Sequence, residues 1–465
     1  MDDQIKLVDK VPALKKEEIK LDYTQYPTES FSYAIATFLA TYTILRVAII
    51  DGVFSYYDTT KWCKLNRSDA YQFLHKLLSK LFGTNMKINK KLLKSLLEDM
   101  EVTASYRQHK DTPFVTMLNL EDSTLEIHTD GTVTSNKHSY LNYITTKLNI
   151  TYDPNAKCDL WQNFLNEVLP DKNSQKILQE FLGWSLSRGH LLKMEKMLFL
   201  IGTGANGKSL IYDVVNHVLG EHNVSKLDFK DISNNQARIM LEDKLINYSP
   251  DSSAKVDEMM KKLVSGEPLP VKIPYESPRL ITVLPKCIVN TNILPDSSDL
   301  THSIFRRFII LNLDVTIAPD KQDKQLAYKI YSTEAAGILN WMIEGLQRLA
   351  HNQQFTDSIN SNKALEELRL DLDHVKLHME EDWEIISDNE SGGERATVLF
   401  ETYIVWCKYC GYKPLTLRTF IKRVRSLGYK DYKNSTTHFK IKKKSVEGGT
   451  SPFLAQLLKK KENND

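Results

Sequence analysis

The stretch KMLFLIGTGANGKSLIYDVVNHVLG, residues 196–220, decides how the central part of this chain folds. It reads as an apolar strand at 197–201, then a glycine-rich loop, then an amphipathic helix, which is the context that a phosphate-binding P-loop requires. Glycine permits backbone conformations that turn several N–H groups towards one anion, and the helix N-terminus adds its dipole. We therefore predict a site for the phosphates of a nucleotide.

Within this loop, the residue types favour ATP with Mg²⁺. Lys208 can reach the β- and γ-phosphates, and the Ser209 hydroxyl can ligate Mg²⁺. A chance glycine-rich turn before a helix is the alternative, and it does not explain why the whole motif stands between a strand and a helix. The predicted nucleotide-binding residues are Gly202, Thr203, Gly204, Ala205, Asn206, Gly207, Lys208 and Ser209.

Hydrolysis also needs an acid near Mg²⁺ and a polar group near the attacking water. The apolar strand in 244–251 ends at Asp251, which we expect to bind Mg²⁺ at the sheet edge where parallel α/β sheets bind ligands. The strand in 285–296 ends with Asn290 and Asn292, and we expect Asn292 to contact the γ-phosphate. Solvated turn residues are the alternative for both positions. Only one acid is present where many ATPases have two, so the identity of the general base stays open.

Two arginines, Arg306 and Arg307, precede a β-rich run within 304–314. A guanidinium can stabilise the charge of a transferring phosphoryl group, and in ring ATPases it comes from the neighbouring subunit. We predict that one of the two arginines has this catalytic role, with a surface arginine pair as the alternative.

The sequence around the P-loop predicts an α/β fold. From Met194 to about Ala350, apolar strands alternate with helical segments, which is the pattern of a parallel sheet with crossover helices. The residues before it read as an α+β domain with a hairpin at 52–66 and short strands at 114–135. The apolar stretch Tyr33–Ile50 contains an arginine and three threonines, so we expect a buried helix followed by a strand and no membrane segment.

The segment 396–445 is strongly basic, with 12 Lys and Arg against 2 Asp and Glu, whereas the whole chain has a net charge of +2. It reads as a helix, a turn, a second helix and two strands, a winged-helix-like pattern whose second helix would enter the major groove of DNA. A small solvated bundle that binds protein or nothing is the alternative. The predicted DNA-binding residues here are Arg418, Lys422, Arg423, Arg425, Lys440 and Lys442.

The five cysteines are scattered, which is typical of a reducing cytosol, and we expect a cytoplasmic protein. Cys407 and Cys410 form a CxxC pair, but no second pair or nearby His supplies zinc ligands, so we expect no zinc site. We interpret the spaced histidines His374 and His378 as part of a solvated helical face.

Taken together, the P-loop, the acidic strand end, the asparagine strand and the arginine pair resemble superfamily 3 helicases. The chain looks most similar to their phage and plasmid primase–helicase branch, which is related to poxvirus nucleoside triphosphatases. The resemblance covers roughly 110–350 and is detailed at 261–296 and 334–349. It implies an AAA+ ATPase core, a homo-oligomeric ring that is usually a hexamer, and DNA unwinding from 3′ to 5′.

The resemblance also implies a role for the segment between the acid and the asparagine strand. This segment corresponds to the family's pore hairpin, here about 266–278, with Lys272 near its tip. A single lysine facing a pore would follow DNA phosphates without reading the base sequence. A solvated surface lysine is the alternative.

These expectations divide the chain into five parts. They are an N-terminal α+β domain of the primase–helicase type (1–190), an ATPase/helicase domain (191–350), a charged helical connector and linker (351–395), the basic module (396–445) and a flexible tail (446–465). No primase domain is recognisable before residue 190, so a separate primase is a candidate partner.

The leading hypothesis is an ATP-dependent DNA helicase that acts on single- and double-stranded DNA in the replication initiation of a phage, plasmid or mobile genetic element. The alternative is a DNA-binding regulatory or remodelling ATPase that separates no strands. A third hypothesis is a DNA-binding or structural protein with an inactive P-loop, against which the intact Lys208 and Ser209 argue.

Overall fold

The computed structural model places the chain in two units, residues 1–362 and 363–465. The described residues are 28–42, 45–83, 86–107, 112, 115–188, 192–202, 204–250, 258–274, 278–291, 305–387, 392–410, 412 and 414–444. Among them, no helix is long and apolar enough to cross a membrane. The predictions for Thr203, Asp251, Asn292 and the tail at 446–465 lie outside the described residues.

The first unit begins with three helices and a four-stranded sheet. In chain order these elements are α1 (Thr28–Thr41), β1 (Val47–Ile50), β2 (Val53–Tyr57), β3 (Trp62–Lys64), α2 (Arg67–Phe82), α3 (Lys90–Thr103) and β4 (Ser105–Tyr106). The strand order is β3-β2-β1-β4, with antiparallel pairs except that β4 joins β1 in parallel. The side chains of Asn66 and Asn89 accept N–H groups in the first turns of α2 and α3, which fixes where these helices begin. The predicted helix, strand and hairpin in this region are confirmed.

A three-stranded antiparallel sheet and a helix pair follow. They are β5 (Val115–Asn119), β6 (Thr124–His128), β7 (Val133–Asn136), α4 (Asp159–Val168) and α5 (Lys172–Leu186). The Asp171 carboxylate caps α5 by accepting the Ser174 N–H. The short strands predicted at 114–135 are therefore present.

The P-loop motif lies in a five-stranded parallel sheet. Its elements and those around it are β8 (Met197–Ile201), α6 (Lys208–Leu219), β9 (Val224–Ser225), β10 (Ile246–Pro250), α7 (Glu258–Ser265), β11 (Leu269–Val271), β12 (Arg279–Ile281), β13 (Lys286–Thr291), β14 (Phe308–Asn312) and α8 (Leu326–Asn352). The strand order is β14-β8-β13-β10-β9, and every neighbouring pair is parallel. The predicted α/β class with a parallel sheet is confirmed.

One hydrophobic core joins α4 and α5 to this sheet, α6 and α8. The crossing of α5 and α8 is very close: a Cβ on Gly183 would lie 2.2 Å from the Met342 carbonyl oxygen, and one on Gly345 would lie 2.2 Å from the Gln179 carbonyl oxygen. Only glycine fits at both positions. The predicted domain boundary at residue 190 stays a prediction, but the core is continuous across it.

The described part of the second unit contains three helices after α9 and two small antiparallel sheets. After α9 (Ile359–Leu372), which spans the boundary between the units, its elements are α10 (His374–Asp382), β15 (Trp383–Ile385), β16 (Glu394–Arg395), α11 (Ala396–Cys410), α12 (Leu417–Ser426), β17 (Asp431–Asn434), β18 (Thr436–Phe439) and β19 (Ile441–Lys443). The strand orders are β16-β18-β17 and β15-β19. The two helices and two strands predicted for the basic module are present, and β19 adds a third strand.

Residues 374–385, which the sequence analysis placed in a charged connector, pack into the core of the second unit. Val375, Met379 and Trp383 are buried there, at helical spacing, together with residues of α11 and α12. The interpretation of His378 as solvated was wrong, because its side chain is fully buried beside the Trp406 ring. Residues 383–385 form a strand rather than a helix because they pair with β19.

Candidate nucleotide-binding site

The P-loop leaves β8 at the carboxyl edge of the sheet and turns directly into α6. Ala205 and Gly207 have positive φ angles of 50° and 85°, so the loop takes the left-handed turns that its glycines favour. No side chain caps the N-terminus of α6 at Gly207. The first N–H groups of α6 therefore do not donate to an N-cap side chain. A helix N-terminus binds an anion through such N–H groups.

Lys208 is held inside the loop. Its side chain is only 7 % exposed, and Nζ donates to the Gly202 carbonyl oxygen at 2.5 Å and to Asn206 Oδ1 at 3.0 Å. Asn206 is also buried, and its Nδ2 donates to the Leu313 carbonyl oxygen at 3.1 Å. The Asn206 amide therefore links the lysine to the segment after β14, a role that the sequence motif did not reveal.

Ser209 lies in the first turn of α6 and is exposed. A serine hydroxyl directly after the P-loop lysine is positioned to ligate Mg²⁺ bound to nucleotide phosphates. Among the described residues, no group of three or more His, Cys, Asp or Glu side chains could hold a metal ion by itself.

The strands beside β8 end level with it. Thr291 of β13 pairs with Ile201, and Pro250 of β10 pairs with Asn290. Asp251 and Asn292 directly follow these strand ends in sequence, although both lie outside the described residues. The carboxyl ends of parallel strands meet at one sheet edge, so the three segments that the sequence analysis selected leave the sheet at the P-loop edge.

Asn290 is a second candidate at this edge. It pairs in register with Leu200, and its buried Oδ1 forms no hydrogen bond of ordinary geometry with a described residue, as is also true of the buried hydroxyl of nearby Tyr248. Burial raises the pKa of Tyr248, and the Asn290 side chain partly counteracts this rise. A buried amide oxygen without a well-formed hydrogen bond can accept one from water or a ligand. From the sequence, Asn290 was also a candidate, although Asn292 was preferred.

Arg306 and Arg307 lie at the opposite edge of the sheet, just before β14, whose first residue pairs with Met197. The five residues of β8 separate this edge from the P-loop, a distance of about 16 Å. Arg307 is 13 % exposed and donates to Glu195 Oε2 at 3.2 Å and Ser265 Oγ at 3.1 Å. Arg306 is 58 % exposed, and its Nη2 lies 3.5 Å from Glu195 Oε2. The fold does not bring either arginine to the P-loop of its own chain.

The predicted pore hairpin is present as the antiparallel pair β11–β12. Lys272 is the first residue after β11 and is exposed, so it lies at the start of the hairpin loop. Residues 275–277 of this loop lie outside the described residues.

The predicted DNA-binding residues of the second unit differ in their surroundings. Arg418, Lys422 and Arg425 are exposed at helical spacing on one face of α12, although Arg425 also donates to Asp431 Oδ2 at 2.6 Å. Arg423 forms a bidentate pair with the Asp373 carboxylate, which is largely buried.

The two lysines predicted on the wing also have neighbours. The Lys440 ammonium lies 5.7 Å from the Tyr432 ring centre, and Lys442 Nζ lies 3.5 Å from Glu384 Oε1. Lys440 is half-buried, whereas Lys442 is exposed like the three cations of α12.

Two family models match the chain. Residues 36–170 match "D5 N terminal like", and residues 200–307 match a family of unknown function (DUF5906). No curated protein matches. Two solved structures of the NrS-1 C terminal region are similar to this chain, both at 14 % identity and a TM-score of 0.46. One match covers 90 % of this chain and 99 % of the solved chain, and the other covers 89 % of this chain and 100 % of the solved chain. The two family models are typical of phage and plasmid primase–helicase proteins and indicate a replication protein of that kind.

Proposed function

We propose that this chain is an ATP-dependent DNA helicase of superfamily 3, with an AAA+ core, that acts in the replication initiation of a phage, plasmid or mobile genetic element. The observation that carries the proposal is the complete P-loop, with Lys208 buried inside it, at the sheet edge where β10 and β13 end. The family matches on both sides of residue 190 support a replication role.

In this proposal, different residues of the chain bind the phosphates, hold Mg²⁺ and orient the attacking water. Lys208 leaves its contacts with Gly202 and Asn206 and binds the β- and γ-phosphates, while Ser209 and Asp251 hold Mg²⁺, which neutralises phosphate charge when bound. Asn292 or Asn290 orients the attacking water. The transition state also needs a positive charge beside the γ-phosphate in addition to Lys208.

Arg306 fits that need when it comes from a neighbouring copy, because it is exposed and lies at the far edge of its own sheet. This assignment implies a homo-oligomeric ring, and the resemblance to superfamily 3 favours a hexamer that moves from 3′ to 5′. Lys272 on the hairpin would contact the phosphates of the enclosed strand.

For the second unit we propose a winged-helix-like module that binds duplex DNA. The three helices, the strand pair β17–β18 and the exposed cations on α12 support this assignment. Phosphate contacts of this kind position a protein on DNA without selecting a base sequence.

The test is ATP hydrolysis by the purified protein with and without single-stranded DNA, together with unwinding of a 3′-tailed duplex. We expect DNA-stimulated hydrolysis and strand separation. Lys208→Ala should abolish ATP turnover and leave duplex binding intact, and Lys272→Ala should keep basal turnover and lose unwinding. ATP turnover without strand separation would favour a DNA-remodelling ATPase instead. Undetectable turnover by the wild-type protein would contradict the proposal.

A further inference from the structure

A buried group of charged side chains connects the N-terminal sheet to the ATPase part of the first unit. At the end of β3, the Lys64 side chain is only 10 % exposed, and its Nζ lies 3.1 Å from Glu242 Oε1, 3.3 Å from Asp243 Oδ1 and 3.5 Å from Asp51 Oδ2. Burial alone would lower the pKa of Lys64, but the carboxylates of Asp243, Glu242 and Asp51 raise it above its ordinary value. The lysine is therefore charged and surrounded by acids from two distant segments.

The same Glu242 carboxylate binds the hairpin. Arg279, in β12, donates from Nη1 to Oε1 at 2.7 Å and from Nη2 to Oε2 at 2.5 Å. This is a bidentate pair with both side chains largely buried, a geometry that fixes orientation as well as distance. Glu242 thus joins Lys64 on one side to Arg279 on the other.

The other strand of the hairpin is attached to the same segment. Arg238 is buried, and it donates from Nη1 to the Pro270 carbonyl oxygen in β11 at 2.9 Å and from Nε to the Ile232 carbonyl oxygen at 2.6 Å. Among the described residues, β11 and β12 form three residue pairs, and a short two-stranded hairpin has little stability of its own. The hairpin direction therefore depends on its contacts with residues 232–243 as well as on the buried side chains of Leu269, Val271 and Ile281.

Positive and negative side chains contact one another in this group. Asp243, which has a positive φ of 58°, accepts a hydrogen bond from Thr145 Oγ1 at 2.8 Å, and Arg188 lies 4.0 Å from its carboxylate. The largely buried cations are Lys64, Arg188 and Arg279, the acids are Asp51, Glu242 and Asp243, and the exposed Arg107 lies 3.9 Å from Asp51. A buried ionic network adds little net stability compared with apolar packing, but removing one member leaves an uncompensated charge. The main effect of this network is to fix the relative orientation of the residues that it joins.

We propose that Lys64, Glu242 and Arg279 form an ionic clamp that positions the β11–β12 hairpin relative to the N-terminal sheet and so sets how the hairpin engages DNA. The contact of the hairpin with DNA rests on the proposed function; the clamp itself does not. These three are positioning residues, because they act on DNA through the hairpin loop. The partner of the hairpin is a single strand of DNA, bound through its phosphates.

The test uses the full chain with Lys64→Met, Arg279→Gln and the charge-conserving Lys64→Arg. The first readout is hydrogen exchange of the amides at 271 and 279–281, which needs no activity. We expect exchange there to be at least tenfold faster in Lys64→Met and Arg279→Gln, close to wild type in Lys64→Arg, and unchanged in β8 of every variant. Lys329→Met is the matched control, because it breaks an exposed ion pair with Asp323 elsewhere in the unit.

The second readout separates positioning from a general loss of structure. Basal ATP turnover at saturating ATP should stay within twofold of wild type, while the DNA concentration that half-stimulates turnover should rise at least tenfold in Lys64→Met. Faster exchange throughout the first unit, including β8, would overturn the clamp in favour of a merely structural role. Unchanged exchange at the hairpin would also overturn it.

Different results would contradict the proposed function and the ionic clamp. Absence of ATP turnover in the wild-type protein would remove the proposed function, yet hairpin exchange would still decide whether the clamp exists. Faster hairpin exchange with unaltered DNA stimulation would overturn the coupling of the clamp to DNA.

Discussion

One added methyl group at Gly207 should disturb both the backbone of the P-loop and its packing against α4. The φ of +85° at Gly207 is strained for any residue with a Cβ, at about 1 to 2 kcal/mol. A Cβ there would lie 2.7 Å from Phe164 Cζ and 3.0 Å from Val168 Cγ1, both buried on α4. Moving packed side chains costs about 1 to 3 kcal/mol. Gly207→Ala should therefore lose about 2 to 5 kcal/mol in free energy of unfolding.

The assay is thermal unfolding of the full chain, following the transition that ATP shifts upwards. A loss of this size should lower the midpoint by about 4 to 20 °C. ATP affinity should fall as well, because Lys208 is the next residue along the chain.

A second substitution isolates the steric part of this loss. Phe164→Leu shortens the side chain that the new methyl would meet, so Gly207→Ala should cost about 1 kcal/mol less in that background. Gly204→Ala is the control, since its φ of +119° is also strained but a Cβ would meet no atom of the described residues within 4 Å. Its cost should not depend on residue 164. Additive effects of Gly207→Ala and Phe164→Leu would refute the packing argument.

The remaining predictions concern arginines that the sequence could not tell apart. Arg306→Ala should change the free energy of unfolding by less than about 0.5 kcal/mol but lower ATP turnover of the assembled protein by about 10³-fold. Arg307→Ala should instead lower the free energy of unfolding by about 1 to 3 kcal/mol. Turnover that survives Arg306→Ala would contradict the trans role. Replacing Arg418 and Lys422 together by Ala should weaken duplex binding and reduce its salt slope by about 2 with little change in stability. Arg423→Ala should destabilise the second unit instead, because Asp373 loses its partner; an unchanged melting curve would count against this pairing.

The sequence predicted well those features whose signal is local. The strand, glycine loop and helix at 196–220 follow from adjacent residues, and so does the hairpin at 52–66. Each depends on periodicity or turn chemistry within a few residues.

Features that depend on contacts between distant residues were missed. The link from Asn206 to Leu313 spans 107 residues, and the one from Lys64 to Glu242 spans 178. No local pattern marks either pair, because charged and amide side chains usually lie in solvent. The burial of α10 in the core of the second unit did have a local sequence signal. Val375, Met379 and Trp383 have the i, i+4, i+8 spacing of a buried helical face, but the many charged residues around them obscured it.

The P-loop and Arg306 lie at opposite edges of the parallel sheet, and this separation has a consequence for the mechanism. The P-loop leaves the carboxyl edge, while Arg306 stands before β14 at the amino edge, about 16 Å away along β8. A guanidinium at that position cannot touch phosphates bound to its own chain, yet it is exposed where a second copy can approach. If Arg306 acts on phosphate, each site is therefore completed by a neighbour, and a single chain binds ATP without turning it over efficiently. Hydrolysis per chain should then rise with protein concentration, whereas ATP binding should not.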